Sequence, residues 1–304
     1  MREWYPVIKP RIWGGARLRE WFPSAPADQA IGEAWLLSDH PVGRTLDDQG
    51  EPITGTDDPS KWFPVLIKVL HANTDLSVQV HPDDQMAAVI GDRGKTEGWL
   101  ILEAAADAKI CYGHHFASPN EMRQAIEHDQ LMAGLRYLPV KAGEYYPIPA
   151  GTVHALGAGI VVLEVQQASD LTYRLYDYGR LEQGKPRQLH VEQGIAATAF
   201  PQQVNAAQVG VLDRLEGWFV HPVYEALRYD RQPYFEFASL LVDGNWNNQL
   251  QASVSLIVIL LSGDVHPIHT ADTDSLFRTW LFAPGESIQL VGKGKVALIS
   301  VPQQ

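Results

Sequence analysis

The chain has 304 residues, 45% of them hydrophobic, and a formal net charge of −12, the composition of a globular protein with room for two small domains or one large one. Nucleic acid is a poor partner, because phosphate backbones are bound through Lys/Arg clusters and no such run is present. A small phosphorylated ligand stays open, since a few basic side chains in a concave site outweigh a negative surface at contact range.

The opening residues Met1–Pro6 lack the apolar region of a signal peptide, and the longest apolar stretch, Leu256–Leu261, is too short to span a bilayer. The expectation is a cytoplasmic protein with no membrane partner. A single cysteine, Cys111, excludes an intrachain disulfide and a thiolate metal cluster. It reads as a small buried residue in a reducing compartment.

Short β-like runs separated by Gly and Pro dominate: Val65–Leu70, Leu76–His81, Trp99–Leu102, Ile160–Val165 and Thr172–Tyr176. This spacing predicts antiparallel sandwiches or barrels, a mostly β fold with a few helices. One helix is well signalled by Ser118-Pro119-Asn120-Glu121, a capping box with Pro at the first helical position, followed by Met122, Ala125 and Ile126 on one face. From 196 to 215 the sequence loosens into Ala, Gln and Pro, which predicts a connection between a unit over 1–200 and a second β unit over 201–304. Ala283–Leu290 echoes Lys141–Ile148, but no His follows the later turn. Two related barrels are expected, the second without metal residues.

Three segments are suited to converge on one metal. In the strand Leu76–His81, Leu76, Val78 and Val80 share an apolar face while Ser77, Gln79 and His81 share the other. Gly94–Glu97 and Gly143–His154 supply Glu97 and His154 as the best-placed further donors. The second of these runs fixes a turn, a Pro149-x-Gly151 corner and a histidine opening the next strand. That run resembles the second motif of the cupin superfamily, small β-barrels that hold a metal inside. A cupin's first motif has His-x-His followed soon by Glu; here the pair is Gln79-x-His81 and the Glu, at 97, comes late.

Both departures resemble one cupin family, the type I mannose-6-phosphate isomerases, in their short bacterial form. The likeness runs from Pro10–Gly15 through Gly32–Trp35, Pro64–Leu70, Leu76–Asp84 and Gly94–Glu97 to His154, and continues over Leu163–Asp177. It implies a jelly-roll, cupin-like barrel over 1–200 that carries the chemistry, a degenerate cupin-like domain over 201–304, and interconversion of mannose 6-phosphate and fructose 6-phosphate through an enediol.

The resemblance further implies one Zn²⁺ held by His81, Glu97 and His154, with Gln79 as a fourth ligand. An amide is a weak ligand, so Gln79 alternatively bonds a bound water, and Fe²⁺, Mn²⁺ or Co²⁺ accepts the same N/O donors. Lys68 and Glu164 interrupt apolar runs, and a buried charge normally needs a partner. Lys95 stands two residues before Glu97, and Arg174 alternates with Thr172 and Tyr176. The family pattern makes Arg174 and Lys95 catalytic and sets Ser77 near the substrate phosphate; Glu164 is a candidate base, with a His, a Lys or metal-bound water as alternatives, and Ser77, Lys68, Lys95 and Arg174 are expected on the substrate and its phosphate. Trp13 reads as core or pocket wall, and His114, His115 and His266 as surface or structural. The rival readings are a cupin oxygenase using Fe²⁺ and a sugar-phosphate-binding regulatory protein without catalysis.

Overall fold

The structure is a computed structural model that describes residues 1–202, 211–213, 215–221, 223, 226–270 and 275–302. The chain is mostly β with few helices, arranged in three large antiparallel sheets. No helix among the described residues is long and apolar enough to cross a membrane.

The first unit is two facing sheets. One has six strands in the order Tyr145–Ile148, Glu97–Ala104, Ile160–Gln167, Val65–Ala72, Ile31–Leu37, Val7–Gly15. The other has five, in the order Tyr173–Tyr176, Val78–Val80, His154–Leu156, Lys109–His114, Leu135–Pro139. No ladder joins the two sheets among the described strands, so they form an open, jelly-roll-like sandwich.

The six-stranded sheet is covered on both faces, which is why its strands read as near-continuous apolar runs. Val161, Leu163 and Val165 share a cluster with Phe237, Ile257 and Ile299 of the C-terminal sheet. Ile160 and Val162 point the other way and pack with Trp99, Ile110 and Leu156 between the two sheets of the first unit. Strand alternation therefore places Glu164 and Lys68 on this inner face, where each displaces an apolar side chain worth about 1.5–3 kcal/mol of burial.

The third sheet has nine strands and carries most of the chain after residue 211. It also takes in Arg2–Tyr5, which pairs with Thr279–Phe282, and Leu46–Asp47, which pairs with Arg2–Tyr5. The expected boundary near residue 200 is thus crossed by the chain's first strand. Of the expected connection over 196–215, residues 196–197 close the helix Val191–Ala197, and 203–210 and 214 lie outside the described residues.

Two local expectations have clear physical counterparts. The helix Pro119–Glu127 is capped by Ser118, whose hydroxyl accepts from the Glu121 amide, while Glu121 accepts from the Ala117 amide. The echo between Lys141–Glu144 and Ala283–Glu286 is one turn used twice. In each, the Glu side chain accepts from the first residue's amide at 2.8 Å, and Gly143 or Gly285 supplies a positive φ of 89° or 76°. Gly14 serves close approach, since a Cβ there would lie 2.4 Å from the Gly32 amide nitrogen.

Candidate active site

Cross-strand register brings two rows of polar side chains face to face. On the five-stranded sheet Arg174 stands opposite Gln79, and Gln79 opposite His154. On the six-stranded sheet Trp35 stands opposite Lys68, Lys68 opposite Glu164, Glu164 opposite Trp99, and Glu97 opposite Gln166. The Pro149-x-Gly151 corner is tied to the first row by a bond from the Gly151 amide to the His81 carbonyl.

Where the rows meet, one ligand atom each from His81, Glu97 and His154 lies within 4.8 Å of the others, and all three residues are buried. His81 Nε2 is 3.3 Å from Glu97 Oε1, and His154 Nε2 is 3.6 Å from Glu97 Oε2. His81 Nδ1 is 2.8 Å from the Leu171 carbonyl and His154 Nδ1 is 2.8 Å from the Thr152 carbonyl. A carbonyl only accepts, so each Nδ1 carries the proton and each Nε2 turns a lone pair to the centre.

Protonation states agree. Burial, helped by Lys95, pushes His81 down to about 3, and burial lowers His154 as well, so both imidazoles are neutral. Burial alone would raise Glu97, but the Lys95 ammonium holds it well below the usual carboxylate range. Glu97 Oε2 is buried without a hydrogen-bond donor. An orphaned carboxylate oxygen between two inward imidazole lone pairs fits a divalent cation. Gln79 adjoins the cluster: its amide nitrogen is 3.3 Å from His154 Nε2, and the reversed amide would present its oxygen there instead.

Lys95 borders the cluster, its ammonium bonding Glu97 Oε1 and lying 3.1 Å from His81 Nε2. From there a polar cavity of about 500 Å³ opens, lined by Ser77, Lys68, Lys95, Glu164 and Arg174. Glu164 accepts from Trp99 Nε1 at 3.0 Å through Oε2, while its Oε1 has no hydrogen-bond donor and faces the Lys68 ammonium at 3.4 Å. Burial and the nearby Glu97 charge raise the pKa of Glu164. Burial would lower that of Lys68, but Glu164 and Glu33 outweigh it and the ammonium is stabilised. Arg174 donates to the Gln188 carbonyl at 2.8 Å and keeps its Nε buried without a partner.

All nine residues expected in the site are therefore gathered around one cavity or its metal end. Trp13 is core and cavity wall together. His114 is buried, its Nε2 3.2 Å from the Ala199 carbonyl, and Cys111 is buried with its thiol pushed up to about 12. Neither belongs to the cluster. Sequence reasoning missed Arg11, Glu33, Asp170 and Arg187, which also line the cavity. Glu33 carried a readable signal, a carboxylate inside the wholly buried strand Ile31–Leu37, the same anomaly that marks Lys68 and Glu164. Arg187 follows an exposed hairpin and carried none.

Residues 3–109 match the family described as "Phosphomannose isomerase type I, catalytic domain". The mannose-6-phosphate isomerase of Streptococcus mutans is 37% identical over 268 residues, 83% of this chain and 82% of that protein. The chain belongs to the type I phosphomannose isomerase family. A probable mannose-6-phosphate isomerase of Bacillus subtilis is 44% identical over 214 residues, 64% of this chain and 67% of that one. The crystal structure of a mannose 6-phosphate isomerase from Bacillus subtilis superimposes with a TM-score of 0.84 at 29% identity, covering 98% of each chain. The likeness to this phosphomannose isomerase thus extends over the C-terminal sheet as well as the site-bearing unit.

Proposed function

We propose that this phosphomannose isomerase family member is a metal-dependent aldose-ketose isomerase that interconverts mannose 6-phosphate and fructose 6-phosphate. The reading is carried by one juxtaposition: the His81–Glu97–His154 cluster opens onto a cavity whose wall holds a buried carboxylate, Glu164, one oxygen of which accepts no hydrogen bond and faces Lys68. Isomerisation moves a proton between C1 and C2 and another between their oxygens, which needs a base on the carbon and positive charge at the oxygens.

His81, Glu97, His154 and Gln79 would hold the metal, which we take as one Zn²⁺ per chain. Two neutral imidazoles, a carboxylate and an amide leave a charge of about +1, so the bound ion supplies Lewis acidity toward the sugar oxygens. Glu164 Oε1 is the base, its raised pKa matching proton abstraction better than an ordinary carboxylate. The Lys68 ammonium favours the ionised form of that carboxylate. Lys95 and Arg174 meet charge developing on the oxygens of the enediol, and Ser77, Lys68, Lys95 and Arg174 orient the substrate in the cavity. Trp99 fixes Glu164 through its indole bond.

Residues 1–200 form the catalytic unit in this reading, and 201–304 form a β unit that seals the back of the six-stranded sheet, as the shared apolar cluster supports. A lone buried cysteine and a phosphorylated metabolite suit a cytoplasmic enzyme. The test is Arg174→Ala. Turnover of mannose 6-phosphate falls by about 100-fold or more with the fold intact, as loss of one oxyanion-stabilising group does; unchanged turnover removes Arg174 from the mechanism.

A further inference from the structure

Glu97 is the first residue of the strand Glu97–Ala104, and the loop before it leaves Val89 and Ile90 exposed. Strand ends open more easily than strand centres, whereas a metal ligand works only from a fixed place. The three amides before Glu97 are each tied to a residue outside their own loop. The Gly94 amide donates to Asp84 Oδ1 at 2.9 Å, the Lys95 amide to the Pro82 carbonyl at 3.0 Å, and the Thr96 amide to Gln167 Oε1 at 2.9 Å. Gln167 in turn donates through Nε2 to Asp84 Oδ1 at 2.9 Å. One carboxylate oxygen thus gathers the anchors of both Gly94 and Thr96.

The other oxygen of Asp84 is reached from the far end of the chain. In the C-terminal sheet Ala226–Arg231 turns back into Glu236–Gln249, and the Gln232 amide closes the hairpin on the Phe235 carbonyl at 2.8 Å. At its tip the Tyr234 hydroxyl donates to Asp84 Oδ2 at 2.7 Å, across 150 residues of sequence. Burial would raise the pKa of Asp84, but the bonds from Tyr234, Gly94 and Gln167 lower it, so the carboxylate stays an acceptor. The same hairpin has a second foot just past Glu97. The Tyr145 hydroxyl donates to Asp230 Oδ2 at 2.7 Å, and a Cβ at Gly98 would collide with that hydroxyl. Gln232 holds Asp230 in place through Nε2, 2.9 Å from the same oxygen.

We infer that this hairpin clamps the segment carrying Lys95 and Glu97, and that Tyr234, Asp84 and Gln167 are positioning residues for the metal end of the site. Tyr234 orients the Asp84 carboxylate, Asp84 orients Gln167, and the two side chains fix the Gly94 and Thr96 amides on either side of Lys95. Bonds to an ionised acceptor are the stronger kind, which suits a chain of contacts that must hold a strand end. The C-terminal sheet thereby acts on the metal ligands as well as covering the back of the six-stranded sheet. Removing the Tyr234 hydroxyl leaves the shared apolar cluster intact, so the two roles separate.

The link to the metal rests on the reading of His81, Glu97 and His154 as ligands; the clamp itself does not. The test compares wild type, Tyr234→Phe, Asp84→Ala and the double variant by amide hydrogen exchange of the full chain, and by Zn²⁺ affinity in competition with a chromogenic chelator. In Tyr234→Phe, exchange over Gly94–Glu97 speeds up by about three- to tenfold while Lys109–His114, on the other sheet, is unchanged, and the Kd for Zn²⁺ rises by a similar factor. In Asp84→Ala the Kd rises by about 10- to 100-fold, the usual cost of losing a group that orients a ligand. Adding Tyr234→Phe to Asp84→Ala changes neither reading further, because both act through one carboxylate. Tyr234→Phe removes one hydroxyl and carries the test if Asp84→Ala fails to fold. Unchanged exchange in Tyr234→Phe overturns the proposal, as does equal speeding over Lys109–His114 or full additivity in the double variant. Faster exchange with an unchanged Kd overturns the positioning role. Should wild type bind no Zn²⁺, the metal reading fails by itself, and the exchange rates still decide whether the hairpin is a clamp.

Discussion

Glu164 and Lys68 stand directly across from one another on neighbouring strands, Oε1 to Nζ 3.4 Å, both buried and both on the cavity wall. The lysine favours the ionised form of a buried carboxylate. Burial and Glu97 push the Glu164 pKa up, and Lys68 pulls it down. Lys95 acts in the same sense as Lys68. In Lys68→Met the acid limb of kcat/KM should therefore move to higher pH, because Lys95 alone then favours the carboxylate against burial, Glu97 and Glu33. In Glu164→Gln that limb should disappear and kcat fall by about 10²–10⁴-fold, the usual contribution of a general base. pH–rate profiles of the two variants decide this; an unmoved limb in Lys68→Met means that Glu164 is not the group titrating.

The ligand assignment has a readout independent of turnover. His154→Ala removes an imidazole whose Nε2 faces Glu97, and the Nδ1 bond to the Thr152 carbonyl goes with it. Metal content by elemental analysis should fall from about one per chain to a small fraction of that, since loss of one of three strong donors severely weakens such a site. Stoichiometric metal in the folded variant would sink the assignment.

Glu33 makes a stability prediction with a definite sign. Burial would raise its pKa, but Lys68 and Arg11 hold it at about 2, below the ordinary 4.5. A group depressed on folding stabilises the protein above its unfolded pKa, and that contribution is lost as pH falls through the folded one. Wild type should be more stable than Glu33→Gln at pH 7 by about 2–3 kcal/mol, and the gap should narrow between pH 5 and pH 2. Denaturant unfolding at several pH values measures it, and a gap independent of pH contradicts the role given to the Glu33 charge.

Much of this site was legible because its chemistry interrupts regular patterns. Gln79 and His81 break no apolar face; they occupy the polar one of a strand whose alternate positions are core. Lys68 and Glu164 stood out as charges inside apolar runs, and the fold accounts for them by making each the other's partner. What sequence could not convey was which charges are already satisfied. Arg11 and Arg187 look alike as isolated basic residues, yet one is matched by Glu33 and the other shares Asp177 with Arg180. That difference depends on contacts between strands, loops and a hairpin distant in the chain. The boundary near residue 200 was similarly blurred by long-range pairing, because Arg2–Tyr5 joins a sheet built mainly from the other end of the chain.

The most direct measurement is a coupled assay of mannose 6-phosphate to fructose 6-phosphate conversion on metal-replete protein, on the same protein after chelation, and after Zn²⁺ is restored. Conversion should be present in the first, fall to background in the second and return in the third. Full conversion by the chelated protein, with its metal shown to be gone, would contradict the account.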